Sequence, residues 1–483
     1  MTKTTILKRA SLIFLAFFLL IFWQMPAPSG MSDQAWHIFI IFITTILGIM
    51  FNALPLGVIS LIALTLCMMT KLLTVDKALS GFGSPIVWLV VMAFFIARAL
   101  IKSGLGARVA YYLISKFGSS TLGLSYSIIL TELFLAPAIP SASARGGGIM
   151  FPVVQSVIDG YRRARNTEIG VDSLNDSHKE NKIGKFLIML CFHTNVITSA
   201  MFLTAIASNP IVVKLAASYG VHIDWVNWAI GAIVPGLISL LALPVILYIL
   251  CKPTVVNGHE IVIAAKETLR AMGSLKTSEI FTFIIFLALI AMWIFEHYLS
   301  LNATTAAMIG LSALLLTKVL NWNDVVKEQG AWDTFIWFSI LVVLAGALND
   351  LGTTKWMVSK IELLYKHNNM GKFSLLTILC LFFFYIHYFF ASVTVHITVM
   401  YAIFLGIFID IGLPPLPSAL SLAFLSVLSA SLTHYGIGSA PIFFGAGHVS
   451  IPYWWRISAI VAIINLSIWV IVCGIWWKAL GWI

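Results

Sequence analysis

Long apolar runs alternate with short polar punctuation along almost the whole chain. Such runs recur at about 10–25, 37–53, 55–70, 85–102, 121–158, 184–217, 226–250, 279–298, 303–320, 333–351, 373–412, 418–449 and 457–480. Runs near twenty residues cross ~30 Å of hydrocarbon as single helices. The pattern predicts an all-α polytopic membrane protein. A soluble core of this length would carry regular polar faces, and the sequence offers none, so the usual length-per-domain reasoning does not apply. Two stretches, 106–117 and 354–367, mix basic and apolar residues and are too short to span. They predict helices lying in the headgroup plane.

Four of the long runs are abnormal. The runs 121–158 and 373–412 exceed one span and carry a polar tip midway, which predicts helical hairpins that enter and leave on one side. The runs 184–217 and 418–449 are interrupted at Ser208-Asn209-Pro210 and at Gly436-Ile-Gly438-Ser439-Ala440-Pro441. Unwound backbone at membrane depth survives only when buried or lining a cavity. There it leaves carbonyls and helix N-terminal amides free for ions or carboxylates.

The abnormalities pair up. Lys71 aligns with Lys318, Val87-Trp88 with Ile336-Trp337, Gly104 with Gly352, and Ser141 and Arg145 with Ser392 and His396. The segment Thr204 to Pro210 aligns with Tyr435 to Pro441, its offset shortened by a polar insertion over about 161–181. The predicted organisation is a scaffold over 1–54, a first repeat over 55–250, a linker with a connecting helix over 251–302, and a second repeat over 303–483. With a cytoplasmic N-terminus, the loops 102–120, 160–185, 251–278, 318–333 and 450–456 are also cytoplasmic and hold most of the lysine and arginine. The two repeats then have inverted topology, each with one hairpin.

Composition narrows the class. Of 483 residues, 60% are apolar and 10% charged, and the net charge of +10 lies between apolar runs rather than in a nucleic-acid-binding patch. Cys67, Cys191, Cys251, Cys380 and Cys473 show neither metal-ligand nor disulfide-framework spacing. Lys3, Lys8 and Arg9 precede the first apolar run as in a signal peptide. No clean cleavage site follows, so a first spanning helix is expected, and the lack of a transit-type leader favours a bacterial inner membrane.

Candidate chemistry gathers at the tips and breaks. Pro140-Ser141-Ala142-Ser143-Ala144-Arg145 and Ala391-Ser392-Val393-Thr394-Val395-His396 each place two hydroxyls before a group that can be cationic. Such clusters are costly in a membrane unless they bind something, and a pair of them in two halves is the layout of an anion transporter. Arginine offers carboxylates a two-pronged donor. The bland alternative is that Arg145 pairs with Glu132 and holds the hairpin. Gly146-Gly147-Gly148 would let backbone approach a ligand. Ser199, Thr204, Ser208 and Asn209 in the first break, and Thr433, His434, Gly438 and Ser439 in the second, are pocket candidates. Serine and threonine in such helices also bond their own backbone. Thr398 could line the same pocket. His387 lacks a hydroxyl context and reads as structural, Arg98 as a packing or snorkelling residue, and Tyr453-Trp454-Trp455 as an interfacial anchor. An intramembrane enzyme lacks support, since neither GxSxG nor HExxH occurs. A passive channel remains a remote alternative.

At these residues the chain resembles the divalent anion/sodium symporter family. The resemblance covers nearly the whole chain. It is carried by Ala136-Pro137 through Pro152, by Phe390-Ala391-Ser392-Val393-Thr394-Val395-His396, and by Thr433-His434-Tyr435 through Gly445-Ala446-Gly447. It implies eleven spanning helices, two re-entrant hairpins, a homodimer and an elevator-like motion. It also implies that the tip motifs Ser141-Ala142-Ser143 and Ser392-Val393-Thr394 contact substrate carboxylates. The family's Ser-Asn-Thr tips lose their asparagines here, which weakens sodium coordination, though backbone carbonyls could still serve. Arg145 and His396 could act in place of sodium. The expectation is an exchanger of dicarboxylates such as 2-oxoglutarate and malate, without a cofactor. A sodium-coupled di- or tricarboxylate symporter is the alternative.

Overall fold

A computed structural model describes residues 3–51, 53–169, 182–253, 258–353, 355–360 and 371–483. Of the described residues 81% are helical, and nine of their helices are long and apolar enough to cross a membrane. Local sequence sets their ends. Ser32 caps Asp33–Met50 by accepting the Ala35 N–H at 3.2 Å, and Asp224 caps Trp225–Cys251 by accepting the Asn227 N–H at 2.6 Å. Pro55 and Ser84-Pro85 open Leu56–Met69 and Pro85–Ser103. Exposed side chains such as Leu241, Ile249, Val470 and Ile475 give the outer helices the apolar surface that lipid requires.

The four abnormal runs fold as two hairpins and two broken helices. The first hairpin rises as Thr121–Leu135, turns at 136–141, and restarts as the single turn Ala142–Arg145. A π-helical turn, Gly146–Met150, leads into Phe151–Ile169. The second rises as Lys372–Tyr385 and Ile386–Phe389 and restarts as Val393–His396. It passes through the π turn Ile397–Tyr401 into Ala402–Asp410. The first broken segment is Lys182–Met201, a short 3₁₀ turn Leu203–Ala205, and Asn209–Ala217. The second is Pro415–Leu428, the 3₁₀ turn Ser429–Leu432, and Ala440–Gly445.

The same backbone events occur at matching places in both halves. Lys71 and Lys318 adopt φ 57° and 59°, unusual for lysine, and Gly104 and Gly352 adopt φ 83° and 78°. Phe202 and Thr433 are extended, with φ −126° and −127°, and both breaks close on a serine of φ −79°, Ser208 and Ser439. The Asn209 N–H then donates to the Ile206 carbonyl at 3.1 Å, as the Ala440 N–H does to Ile437 at 2.9 Å.

Two apolar clusters organise the interior. The larger joins both hairpins, both broken segments and the helices Pro85–Ser103, Trp225–Cys251 and Ile451–Ala479. The smaller joins Asp33–Met50, Leu56–Met69 and Gln329–Asp350 with Phe390 and Val395 of the second tip. Leu105–Phe117, one of the two short amphipathic stretches, is helical. Arg108 ties it to Glu279 at 2.7 Å and to the Gly273 carbonyl at 2.9 Å. The other, 354–367, is helical over 355–360, and the rest lies outside the described residues, as does the core of the polar insertion. Trp454 is not an interfacial anchor: it is fully buried, against Phe192 and Phe444.

Candidate functional site

The first tip is a saturated polar network. Arg145 and Glu132 are both buried, at 0% and 1% side-chain exposure. Arg145 Nε donates to Glu132 Oε1 at 2.8 Å, and Nη2 donates to Ser199 Oγ at 2.7 Å. Nη1 donates to the Ile139 carbonyl at 2.5 Å and also to the Ala205 carbonyl. One guanidinium therefore clasps a carbonyl of the hairpin turn, a carbonyl of the first break and a hydroxyl between them. The ion pair is neutral overall. The geometry thus favours the holding role for Arg145, and its charge is not free for a ligand in this conformation.

Asn195 extends the network into the second half. Its Nδ2 donates to Glu132 Oε1 at 2.6 Å and to the Ala142 carbonyl at 3.3 Å, while its Oδ1 accepts from Ser439 Oγ at 2.7 Å. Thr198 donates to the Asn195 carbonyl at 3.2 Å. Asn195 and Thr198 escaped the sequence reading. The available signal was the polar run His193-Thr194-Asn195 within an otherwise apolar helix.

Ser143 and Gly438 meet at the surface of this network. A Cβ on Gly438 would displace the Ser143 hydroxyl, so glycine keeps that hydroxyl in its place. Ser143 is half-buried and Gly438 exposed, leaving this contact open to a ligand. Gly146 and Gly147 serve packing instead: Cβ atoms there would meet Phe443 at 3.0 Å and Ile442 at 2.7 Å. Ser141 accepts the Ala144 N–H at 3.1 Å as a helix cap, and Ala142 is buried, so only its backbone can face a ligand.

In the first break, Thr204 donates to the Pro137 carbonyl at 2.7 Å, and Asn209 Nδ2 donates to the Ser199 and Phe202 carbonyls at 2.9 and 3.0 Å. Ser208 Oγ and Asn209 Oδ1 stay buried without a partner, as does Thr433 Oγ1 in the second break. Buried oxygens without a partner are costly and mark places where a ligand can supply one.

The second tip is built differently. Ser392 and Thr394 are half-buried, Val393 is buried, and Ser392 does not cap its helix turn. His396 is fully buried among Phe383, His387 and Phe390, with ring centroids 4.6, 4.9 and 5.3 Å away. Neither of its ring nitrogens makes a well-aligned hydrogen bond. Among the described residues no hydrogen bond joins Ser392, Thr394 or His396 to the first tip. His387 Nε2 donates to the Gly436 carbonyl at 3.2 Å. His434 accepts from Trp455 at 3.0 Å and packs on Phe444, outside both tips. Thr398 bonds the Thr394 carbonyl at 2.7 Å and lines a cavity of about 280 Å³ between the second hairpin, Asn209–Ala217, Asp33–Met50 and Gln329–Asp350.

Helical hairpins locked against helices that unwind and restart define a polytopic membrane transport protein rather than an enzyme. The chain belongs to the family described as "Sodium:sulfate symporter transmembrane region", which matches residues 7–483, and so to the divalent anion/sodium symporters. It is 45% identical over 466 residues to the candidate malate transporter YflS of Bacillus subtilis (strain 168), covering 96% of this chain and 94% of that protein. It is 43% identical over 462 residues to the chloroplastic dicarboxylate transporter 1 of Spinacia oleracea, covering 95% and 79%. The crystal structure of the YdaH transporter of Alcanivorax borkumensis shares the fold, with a TM-score of 0.56 at 10% identity over 99% of this chain and 98% of that one.

Proposed function

We propose that this protein exchanges dicarboxylates, malate and 2-oxoglutarate foremost, across a bacterial inner membrane, with its N-terminus cytoplasmic. The observation that carries the reading is the clasp of Arg145 on the Ile139 and Ala205 carbonyls and the Ser199 hydroxyl. Carbonyls of a hairpin turn and a helix break are what a small hard cation would coordinate. Here a cation that cannot dissociate holds them, so this place cannot couple transport to a sodium gradient. The Arg145–Glu132 pair is neutral overall, so exchange follows from the occupancy of these carbonyls and not from net charge. The names of the Bacillus and spinach relatives support the substrate class.

The substrate carboxylates engage the hydroxyls of Ser141, Ser143, Ser392 and Thr394 and the backbone at Ala142, Val393 and Gly438. The orphaned oxygens of Ser208 and Asn209 lie in the adjoining break. Helix N-termini at Asn209 and at both return helices supply partial positive charge. The movement is elevator-like in a homodimer, and the cavity at Thr398 lies where the second hairpin faces Asp33–Met50 and Gln329–Asp350.

Sodium-coupled symport is the second reading, favoured by the family description itself. Counterflow decides between them. Proteoliposomes preloaded with unlabelled malate should accumulate labelled malate without sodium, and empty vesicles should not. Strong sodium-dependent uptake into empty vesicles sinks the exchanger.

A further inference from the structure

The alignment of the two breaks places Ala205 opposite Gly436, within Thr204 to Pro210 against Tyr435 to Pro441. The structure supports this register independently. The extended residues Phe202 and Thr433, the closing serines Ser208 and Ser439, and the Ile206 and Ile437 carbonyl bonds all fall at matching positions. Each of the two opposed carbonyls is held by a side chain of the hairpin of its own half. Arg145 donates to Ala205, and His387 Nε2 donates to Gly436 at 3.2 Å.

We propose that His387, not His396, is the second-half counterpart of Arg145: a positioning residue that latches the second hairpin to the second break. Spacing from the tip motifs pairs Arg145 with His396, but His396 makes no well-aligned hydrogen bond. His387 reaches the equivalent carbonyl from the other side of its turn, within Ile386–Phe389 just ahead of the tip. Gly436 permits the approach, since a Cβ there would stand 3.0 Å from His387 Nε2 and 2.8 Å from the Ala430 carbonyl. A second tie runs parallel to it, from the Tyr435 hydroxyl to the Tyr388 carbonyl at 2.8 Å. The competing view is that His387 merely fills space, being fully buried beside His396 and Phe390. That view leaves unexplained why its one hydrogen bond falls on the carbonyl opposite the one Arg145 holds.

The latch bears on exchange by fixing Gly436 to Ser439, the stretch that meets Ser143 and Asn195. This part rests on the exchanger reading; the latch itself does not. The test compares His387→Leu, His387→Gln and His396→Gln in purified protein. Glutamine at 387 keeps an N–H donor at about the same reach, while leucine removes it. Hydrogen–deuterium exchange over 433–440 should rise about tenfold in His387→Leu. It should stay near wild type in His387→Gln and His396→Gln, with 200–208 unchanged in all three. Malate counterflow should slow about tenfold in His387→Leu and be rescued in His387→Gln. Unchanged protection over 433–440 in His387→Leu overturns the latch, as does loss of that protection in His396→Gln alone. Absence of counterflow in the wild type refutes the exchanger reading instead, and the protection data still decide the latch.

Discussion

The two hairpin tips follow one backbone schedule and are secured by opposite chemistry. At the first, a buried ion pair, an asparagine and two hydroxyls join hairpin, first break and second break in one network. At the second, the residue matching Arg145 by spacing is a histidine without a well-aligned bond. The tip packs through Phe390 and Val395 in the smaller cluster and Val393 in the larger, and single hydrogen bonds of His387 and Tyr435 tie the hairpin to its break. A hydrogen-bonded network specifies one geometry; apolar contact is compatible with several. The difference teaches that the first tip is the more tightly specified element of the binding region and the second the more adjustable one.

The comparison breaks most readily at Arg145. Its replacement by alanine strands Glu132 in the interior and should cost about 3–5 kcal/mol. Arg145→Ala should melt far below wild type in detergent, with Arg145→Lys between them. The double variant Arg145→Met/Glu132→Met should regain most of the stability while losing exchange. A single variant that melts with the wild type removes the distinction between the tips. Asn195→Ala comes next. It deletes the bridge from Glu132 and Ala142 to Ser439 and should cost about 1–3 kcal/mol, read from denaturant or thermal melts.

His396→Gln should cost less than ~1 kcal/mol, since it has no well-aligned bond to lose. A melt depressed as deeply as that of Asn195→Ala would show that His396 itself ties the second tip. The smallest effect lies outside the membrane. Burial alone would raise the Asp324 carboxyl, but the Asn321 N–H, Lys102 and Arg98 outweigh it and hold it below the usual carboxylate range. A carboxyl lowered in the folded state stabilises at neutral pH and loses that contribution as pH falls through its folded value. The Lys102 partner is partly exposed, so Asp324→Asn should differ from wild type by less than ~1 kcal/mol at pH 7. The two melting curves should converge below about pH 4.

Much of this was legible in the sequence because lipid forces long apolar runs and makes every interruption conspicuous. Both tips and both helix breaks followed from that, and Gly104 and Gly352 were visible as matching positions, though not their left-handed backbone. What remained hidden depended on neighbours distant in the chain. Asn195 acquires its role from Glu132 and Ser439, and Gly146 and Gly147 from Phe443 and Ile442, none of which local pattern reveals. His387 reads as a packing residue until the fold brings Gly436 beside it.

The π turns at Gly146–Met150 and Ile397–Tyr401 carry a last consequence, one of chain length rather than chemistry. A π turn is an α-helix holding one residue more than it needs. Both return helices therefore store a spare residue at the same distance from their tips. Removing it, for instance Gly148, would restore continuous α-helix with little change in where the tip side faces, because the wider π turn already spreads the extra residue over nearly the same rotation. Single-residue deletions at these two turns thus remove the loosened backbone while leaving Ser143 and Thr394 aimed much as they are, which separates the π turn's part from the tip's in a way no substitution provides.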